Sequence, residues 1–175
     1  IGPNMTAMAG ECADGIRLHP VVTTKYIDEE VLPNLARGAA RAGRDVDEVE
    51  VCLKPLIGTA PDEARLEQVI RTVRARCAFY LSTPSYRRAF AIHGWEERAR
   101  EASEYSRAGR WEEMPDLVDD DMLHTIATIG TYDQIADKLN ERFASRLDRV
   151  EFSVPVNSPE DAEAFREILG RLDRS

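Results

Sequence analysis

Apolar residues follow two periods along this chain, and the two periods divide it into strands and helices. Alternating apolar and polar positions predict a strand that begins at Ile16 and another from Asp148 to Val156, and a dense apolar run predicts a third from Val49 to Ile57. Apolar residues three and four apart predict helices at about 5–12, 26–42, 62–81, 84–93, 96–108, 115–129, 132–143 and 159–172. Such an order predicts an α/β fold with parallel strands and right-handed crossovers.

Two prolines and one glycine interrupt the predicted elements. Pro33 lies inside the helix at 26–42 and is expected to kink or restart it, and Gly43 is expected to close it. Pro55 has no backbone N–H to donate, so regular strand pairing should end near it. The strand from Val49 to Ile57 is expected to be buried on both faces. The helix before that strand should bury a stripe formed by Ile27, Val31, Leu35 and Ala39.

Residues 82–114 depart from the alternation of strands and helices. A short helix is predicted after Pro84, and a strongly charged helix with a solvated surface follows it. Trp95 and Trp111 flank the charged helix and are expected to anchor the whole segment 82–114. We therefore expect about 82–114 to be a helical insertion in a single domain that spans residues 1–175.

The first residues contain the strongest candidate for a binding site. Gly2-Pro3-Asn4 is interpreted as a turn in which Asn4 caps a short helix. A loop with free N–H groups at the start of a helix suits a phosphate group. The alternative is that Gly2 and Asn4 are turn and cap residues only. The helix is expected to present one apolar face, formed by Met5, Met8, Ala9 and Cys12.

Composition excludes several classes of function. The formal net charge of −9 argues against a general binder of nucleic acid or anionic membranes, because such binding needs clustered Lys and Arg. No apolar run approaches the roughly 18–20 residues of a membrane span, and no signal peptide is evident. Cys12, Cys52 and Cys77 are widely spaced among apolar neighbours, which is typical of reduced thiols in a cytoplasmic protein.

No metal site is predicted, and no catalytic residue is identified. The three histidines are too scattered to share a metal ion, and Asp119-Asp120-Asp121 lacks the alternation and the Gly of an EF-hand loop. The aspartates are interpreted as a solvated helix face. His19 ends the first strand, so it is a candidate binding residue, and a hydrogen-bonded core histidine is equally open.

The run AGECADGIRLHP, residues 9–20, resembles the flavin-site segment of the luciferase-like monooxygenase superfamily. Later motifs follow in the order found in the branch of that superfamily that depends on coenzyme F-420, a deazaflavin. These motifs are Leu32-Pro33, Gly38, Ala42-Gly43-Arg44, Ala78-Phe79-Tyr80, Ser82-Thr83-Pro84, Tyr86-Arg87, His93-Gly94-Trp95, Asp121-Met122-Leu123, Ile129-Gly130-Thr131 and Arg149-Val150-Glu151. The resemblance implies the C-terminal half of a TIM (β/α)8 barrel of the bacterial-luciferase type.

The chain is short for the fold that it resembles. A complete barrel needs about 250 residues, and this chain has 175 and opens on Ile1 rather than Met. We therefore expect a fragment, a processed chain or a truncated relative. A half-barrel would leave open sheet edges and an apolar inner face, which a homodimer or higher oligomer would cover. The inner face is expected to contain Ile16 or Leu18, with Val51, Leu53, Val150, Phe152 or Val154.

The resemblance also implies a function. The expected reaction is hydride transfer between coenzyme F-420 and a small organic substrate. An FMN-dependent monooxygenase is the close alternative, and a non-catalytic oligomeric relative is the alternative from another class. The positions that match the family's cofactor phosphate site are Gly2, Pro3, Asn4, His19, Pro20 and Thr23. Residues that meet the flavin ring and the substrate are implied to lie in the other half of the barrel, so this chain alone is expected to bind no cofactor tightly.

Overall fold

The computed structural model describes residues 2–172 of the chain. In that range the strands are β1 (Gly15–Leu18), β2 (Glu50–Leu53), β3 (Leu56–Ala60), β4 (Ala127–Thr131) and β5 (Arg149–Val150). The α-helices are α1 (Pro3–Cys12), α2 (Thr24–Tyr26), α3 (Leu32–Ala42), α4 (Glu63–Ser82), α5 (Arg87–Ala91), α6 (Glu96–Arg107), α7 (Asp120–Ile126), α8 (Ile135–Phe143) and α9 (Pro159–Arg171). Each strand pair is parallel, so the predicted α/β class is confirmed.

The strands form two sheets that share the segment 50–60. β2 lies between β1 and β5 in a three-stranded sheet, and β3 pairs with β4 in a two-stranded sheet. Pairing of β2 with β1 stops at Leu53 and pairing of β3 with β4 starts at Leu56, so the break predicted at Pro55 is confirmed. The single strand predicted from Val49 to Ile57 is therefore two strands with different partners.

The three-stranded sheet is apolar on one face and charged on the other. Leu18, Val51 and Leu53 are at most 4% exposed and belong to the hydrophobic core. Neighbouring positions along the strands point to the opposite face, where Cys52 is half-buried. That face carries exposed ion pairs between Arg17 and Glu151, between Arg149 and Glu50, and between Lys54 and Glu151. The strand predicted from Val49 to Ile57 was expected to be buried on both faces. For its first part, β2, that prediction is wrong. Leu18, Val51 and Leu53 were also expected to line the apolar inner face of a half-barrel. That expectation is wrong, because their side chains are buried in the hydrophobic core.

The helical run before β2 is restarted at its proline, as predicted. Residues Ile27–Val31 form a π-helical segment between α2 and α3, and Pro33 occupies the first turn of α3. A proline cannot donate the N–H bond that a continuous α-helix requires, and the change of winding accommodates it. Gly43 ends α3 with φ of +66°, a conformation that suits glycine. The predicted stripe is buried: Ile27, Val31, Leu35 and Ala39 are at most 1% exposed.

α1 packs on α3 through backbone rather than through its apolar side chains. A Cβ atom added to Gly38 would lie 1.8 Å from the carbonyl oxygen of Ala7, and one added to Gly10 would lie 2.2 Å from that of Leu35. Only glycine permits so close an approach. The buried face of α1 therefore consists of Thr6, Ala7 and Gly10, whereas Met5 and Met8 are 60% and 48% exposed and Cys12 is exposed. The apolar face predicted from Met5, Met8, Ala9 and Cys12 is therefore not the face that packs on α3.

The segment between α4 and β4 is helical, with 3-10 turns at Pro84–Tyr86 and Met114–Leu117. Trp95 is half-buried and stacks on His93 with 4.4 Å between ring centroids. Trp111 is 52% exposed, so the anchoring role expected of it is wrong.

The helix predicted at 115–129 is shorter than the pattern indicated. α7 ends at Ile126, and the next five residues form β4, every one of them buried. The helical spacing of apolar residues continues through Ile129, so the sequence pattern does not reveal the change from helix to strand after Ile126. The β-branched pair Thr128 and Ile129 followed by Gly130 suits a strand.

The last predicted strand is also short. β5 contains two residues, and the chain from 151 to 157 carries no regular secondary structure. Ser158 then caps α9, and Pro159 opens it at the first residue of the predicted helix. Phe165 and Ile168 are buried, whereas Leu169 is 49% exposed. In the described range, every helix is too short or too polar to cross a lipid bilayer.

Candidate functional site

The amino end of α1 is open. Gly2 is the N-cap and Pro3 the first helical residue, so the prediction that Asn4 caps the helix is wrong; Asn4 lies in the first turn with an exposed side chain. A Cβ atom added to Gly2 would meet no atom within 4 Å. The first turn carries no acidic residue and no side chain caps it. The N–H groups of Asn4 and Met5 have no acceptor within the helix, and together with the helix dipole they favour an anion.

Three other helices close their amino ends with side chains. Asp62 accepts a hydrogen bond from a backbone N–H of α4 at 2.8 Å, Asp119 accepts one from α7 at 2.9 Å, and Ser158 accepts one from α9 at 3.1 Å. Each of these helices also has an acidic residue in its first turn. Unlike these three helices, α1 has neither a side-chain cap nor an acidic first turn, and both features suit a phosphate.

His19 follows β1 and belongs to an aromatic cluster. Its ring stacks on Tyr86 with 4.3 Å between centroids and meets Tyr80 edge-on at 5.2 Å. Its Nδ1 atom lies 3.4 Å from the backbone N–H of Val21, which can donate to it. Burial lowers the pKa of His19, which favours the neutral imidazole near pH 7. The geometry is that of a packed, hydrogen-bonded histidine.

Thr23 faces the helical segment between α4 and β4 rather than an open site. It is 1% exposed, accepts a hydrogen bond from the N–H of Tyr26 at 3.3 Å, and lies 2.8 Å from Nε2 of His93. Burial, followed by the charge of Lys25, lowers the pKa of His93. The hydroxyl of Thr23 is therefore already engaged on two sides.

Pro20 opens onto a cavity of about 360 Å³ that adjoins a larger one of about 620 Å³. Ile57, Arg76 and Val154 line both cavities. Gly2, Pro3 and Asn4 line neither of them. The predicted site residues are thus divided among the open end of α1, the contacts of His19 and Thr23 with the helical segment, and the cavity beside Pro20.

The larger cavity contains polar residues that sequence reasoning missed. Tyr132 donates a hydrogen bond from its hydroxyl to Oδ1 of Asp161 at 2.8 Å. Burial, followed by this hydrogen bond, raises the pKa of Tyr132 to about 12. Thr59 lines the same cavity, and its buried Oγ1 atom has no hydrogen-bond partner. A usable signal was position, because Tyr132 follows β4 directly and strand carboxyl ends are where α/β proteins bind ligands.

Residues 2–172 contain no cluster of three or more His, Cys, Asp or Glu side chains able to hold a metal ion. In the aspartate run, Asp119 caps α7 and Asp120 pairs with Arg74. Burial raises the pKa of the Cys77 thiol to about 12, which makes it a poor nucleophile at neutral pH.

Comparison with known proteins identifies the family of this chain. A family model described as luciferase-like monooxygenase matches residues 1–149. An uncharacterized protein of Mycobacterium tuberculosis is 41% identical over 150 residues, which cover 86% of this chain and 44% of that protein. The 5,10-methylenetetrahydromethanopterin reductase of Methanopyrus kandleri is 27% identical over 172 residues, which cover 97% of this chain and 47% of the reductase. The chain spans about half the length of the curated relatives that it matches.

Two solved structures share its fold. The coenzyme F-420-dependent tetrahydromethanopterin reductase of Methanopyrus kandleri superposes with a TM-score of 0.74 over 97% of this chain and 47% of its own, at 27% identity. An F-420-dependent secondary alcohol dehydrogenase, in complex with an F-420–acetone adduct, superposes with a TM-score of 0.62 over 98% of this chain and 47% of its own. At 15% identity the second likeness concerns the fold alone. By the family match over residues 1–149 and the shared fold, the chain belongs to the luciferase-like monooxygenase family.

Proposed function

We propose that this chain forms the C-terminal half of a luciferase-like (β/α)8 barrel and supplies part of the cofactor site of an oxidoreductase that depends on coenzyme F-420. Family membership supports the oxidoreductase class, and matched proteins that are F-420-dependent support the cofactor. Coverage of about half of each matched structure supports the half-barrel. The bound deazaflavin would supply the hydride chemistry, and the chain would bind and orient it.

The observation that carries the proposal is the open amino end of α1. Gly2 leaves room for a group to approach the backbone, and the first turn holds no acid that would repel a phosphate. The N–H groups of Asn4 and Met5 are the donors that we assign to the phosphate. The residues present therefore fit the phosphate-bearing part of either F-420 or FMN.

The remaining predicted residues take different parts in this proposal. Pro20 lies at the carboxyl end of β1 beside the cavities, where a barrel enzyme holds its ligands. His19 shapes the same turn through its packing on Tyr86 and Tyr80. Thr23 is left out of the proposed phosphate site, because its hydroxyl is buried and engaged by Tyr26 and His93.

FMN-dependent monooxygenation is the second candidate function, because the matching family model is described as a luciferase-like monooxygenase. The open end of α1 suits the phosphate of either cofactor and does not separate them. Deazaflavins transfer hydride without activating oxygen, so the two cofactors differ in chemistry on one fold. The substrate is proposed only as a small organic molecule.

Titration of the 175-residue chain with each cofactor, followed by cofactor fluorescence, tests the proposal. We expect weak binding of F-420, weaker than a micromolar dissociation constant, because part of the site is supplied elsewhere. Asn4→Asp should weaken that binding by about two- to fivefold, since it places a negative charge beside the phosphate. Asn4→Gln is the matched neutral control and should bind as the unchanged chain does.

Three outcomes would count against the proposal. Equal binding by the Asn4→Asp and Asn4→Gln variants would show that the cofactor phosphate does not bind at the amino end of α1. Stoichiometric binding with a micromolar or better dissociation constant would show that this chain holds a complete site. Tighter binding of FMN than of F-420 would favour the monooxygenase.

A further inference from the structure

One edge of β3 is left without a strand partner in the described chain. β3 pairs with β4 alone, and the N–H of Tyr132 donates to the carbonyl of Ala60 at the end of that ladder. Backbone groups of a strand alternate between its two edges, so Ile57 and Thr59 direct their N–H and C=O groups to the edge away from β4. No hydrogen bond within residues 2–172 reaches these four groups.

The two adjoining cavities run beside this free edge. Ile57 lines both of them and Thr59 lines the larger, while one face of α4, from Arg65 to Arg76, forms the facing wall. Five strand residues span roughly 16 Å at about 3.3 Å each. The eleven-residue step from Arg65 to Arg76 spans about the same length at roughly 1.5 Å per residue. The groove therefore has the length of an extended segment of about five residues.

A buried polar atom in this groove also lacks a partner. Thr59 is 5% exposed, and its Oγ1 atom makes no hydrogen bond. A buried hydroxyl without a partner is costly, and ligands or waters commonly satisfy such groups. A peptide group lying along the edge of β3 would bring a donor and an acceptor to it.

Charge distinguishes the two ends of the groove. Arg76 lines both cavities, and no hydrogen bond or ion pair with its guanidinium is found in the described chain. Lys54 lies at the same end, 3.5 Å from Glu151. At the other end Arg65 is balanced by Asp62, 3.9 Å away, and by the nearby Asp161. The positive end of the groove is therefore the Arg76 end.

We propose that the free edge of β3 binds an extended acidic peptide segment of about five residues, with an acidic side chain beside Arg76. The segment adds to the sheet as a third strand and places a carboxylate against the unpaired guanidinium. Apolar side chains of the peptide pack against Val69, Val73 and Val154, which line the larger cavity. The groove selects for backbone hydrogen bonding along its length and for negative charge at one end.

The test is fluorescence anisotropy of the 175-residue chain with a fluorescein-labelled, amidated probe of sequence Glu-Val-Thr-Val-Thr. Two further probes carry N-methyl groups on alternate peptide nitrogens, one in each register. Strand addition uses only one set of alternate N–H groups, so one methylated probe should bind like the parent and the other should not bind. A probe with Lys in place of Glu should bind at least about tenfold more weakly.

Variants of the chain locate the probe in the groove. Arg76→Gln should weaken binding about tenfold, because it removes a charged hydrogen bond to the peptide carboxylate. Arg71→Gln changes an exposed arginine of the same helix that lines neither cavity, and should leave binding unchanged. Thr59→Val should weaken binding by about two- to tenfold.

Several results would overturn the inference. These are equal binding of the two methylated probes, equal affinity of the Arg76→Gln and Arg71→Gln variants, and no binding of the parent probe at millimolar protein. Displacement of the probe by millimolar glutarate or inorganic phosphate would also overturn it, in favour of a site for small anions. Circular dichroism of each variant confirms that lost binding does not reflect lost folding.

Discussion

The polar groups of the two sheets are paired in different ways. The three-stranded sheet has ion pairs that are exposed to solvent, and the two-stranded sheet has side chains that donate to backbone carbonyls of a buried strand. On the open face of the three-stranded sheet, Arg17 pairs with Glu151 and Arg149 pairs with Glu50, with side chains that are 42% to 71% exposed. In the two-stranded sheet every residue of β4 is buried. Its outer edge is covered by Lys138 of α8, which donates to the carbonyl of Ile129 at 2.8 Å.

A half-buried arginine completes the cover of β4. Arg142 of α8 donates to the carbonyl oxygens of Ala127 and Thr125, both at 2.6 Å, and of His124 at 3.0 Å. Burial lowers the pKa of this guanidinium. Because each carbonyl would otherwise be left at a strand edge or a helix end, these hydrogen bonds replace pairing that the backbone does not make.

We therefore expect similar charged side chains to contribute unequally to the free energy of unfolding in the two sheets. An exposed ion pair exchanges water contacts for a screened attraction and contributes about 0–1 kcal/mol. A buried donor that leaves acceptors without partners when it is removed costs more, about 1–3 kcal/mol for each group left unpaired. The substitutions below test this ranking, from the largest expected effect to the smallest.

Arg142→Leu should give the largest loss. It removes the donor to three carbonyls, so we expect the free energy of unfolding in urea to fall by about 3 kcal/mol. Arg166→Leu, which changes an exposed arginine of α9, is the matched control and should change it by less than about 0.5 kcal/mol. A loss below about 1 kcal/mol for Arg142→Leu would contradict the assigned role.

Lys138→Met should cost about 1 kcal/mol, because the Ile129 carbonyl loses its charged donor while the lysine itself is largely solvated. Lys54→Met removes a lysine from the charged face of the other sheet, where its nearest partner is the partly exposed Glu151, and should cost less. Urea denaturation of both variants makes the comparison. Equal losses in the free energy of unfolding would show that the hydrogen bond from Lys138 to the outer edge of β4 adds no stability.

High pH should weaken the contact that follows β4. The pKa of Tyr132 is raised to about 12 in the folded chain, from an ordinary value of 10.0. A raised pKa contributes stability that is fully present below pH 10 and is lost as pH rises toward 12. The urea midpoint should fall across that range, and the fall should be smaller in Tyr132→Phe. An identical fall in both chains would assign it to other groups.

Arg17→Gln should have the smallest effect, at most about 0.5 kcal/mol in low salt. The difference from the unchanged chain should disappear in 1 M salt, where charges are screened within about 3 Å. The measurement is urea denaturation at both salt concentrations. A larger loss that persists in high salt would mean that the charged face contributes packing as well as charge.

The burial of Leu18, Val51 and Leu53 in the core also changes the argument for an oligomer. The expected homodimer or higher oligomer stays a prediction, but an apolar interior built from Leu18, Val51 and Leu53 no longer supports it. Exposed ion pairs now lie on the opposite face of that sheet. Sedimentation equilibrium at tens of micromolar protein decides the question.

Local rules were enough for much of the fold. The buried stripe from Ile27 to Ala39, the restart at Pro33 and the left-handed Gly43 follow from spacing and backbone chemistry within one helix. The start of α9 at Ser158 and the break at Pro55 depend on groups a few residues apart. The family was also predicted from ordered motifs, and the chain matches an F-420-dependent reductase of known structure.

Tertiary contacts decided the rest. The methionine face of α1 is exposed because Gly10 and Gly38 let two backbones meet, an advantage that periodicity does not register. β4 is a strand because it pairs with β3, although its apolar spacing continues that of α7.

The groove beside β3 shows the same limit for function. Thr59 and Arg76 are separated from Tyr132 and Asp161 by more than fifty residues of chain, and only the fold brings them to one cavity. A sequence determines the elements that its neighbouring residues can build, because those interactions are short-ranged. Which strand edge is covered and which stays open depends on residues that meet only after folding, and that determined the candidate sites of this protein.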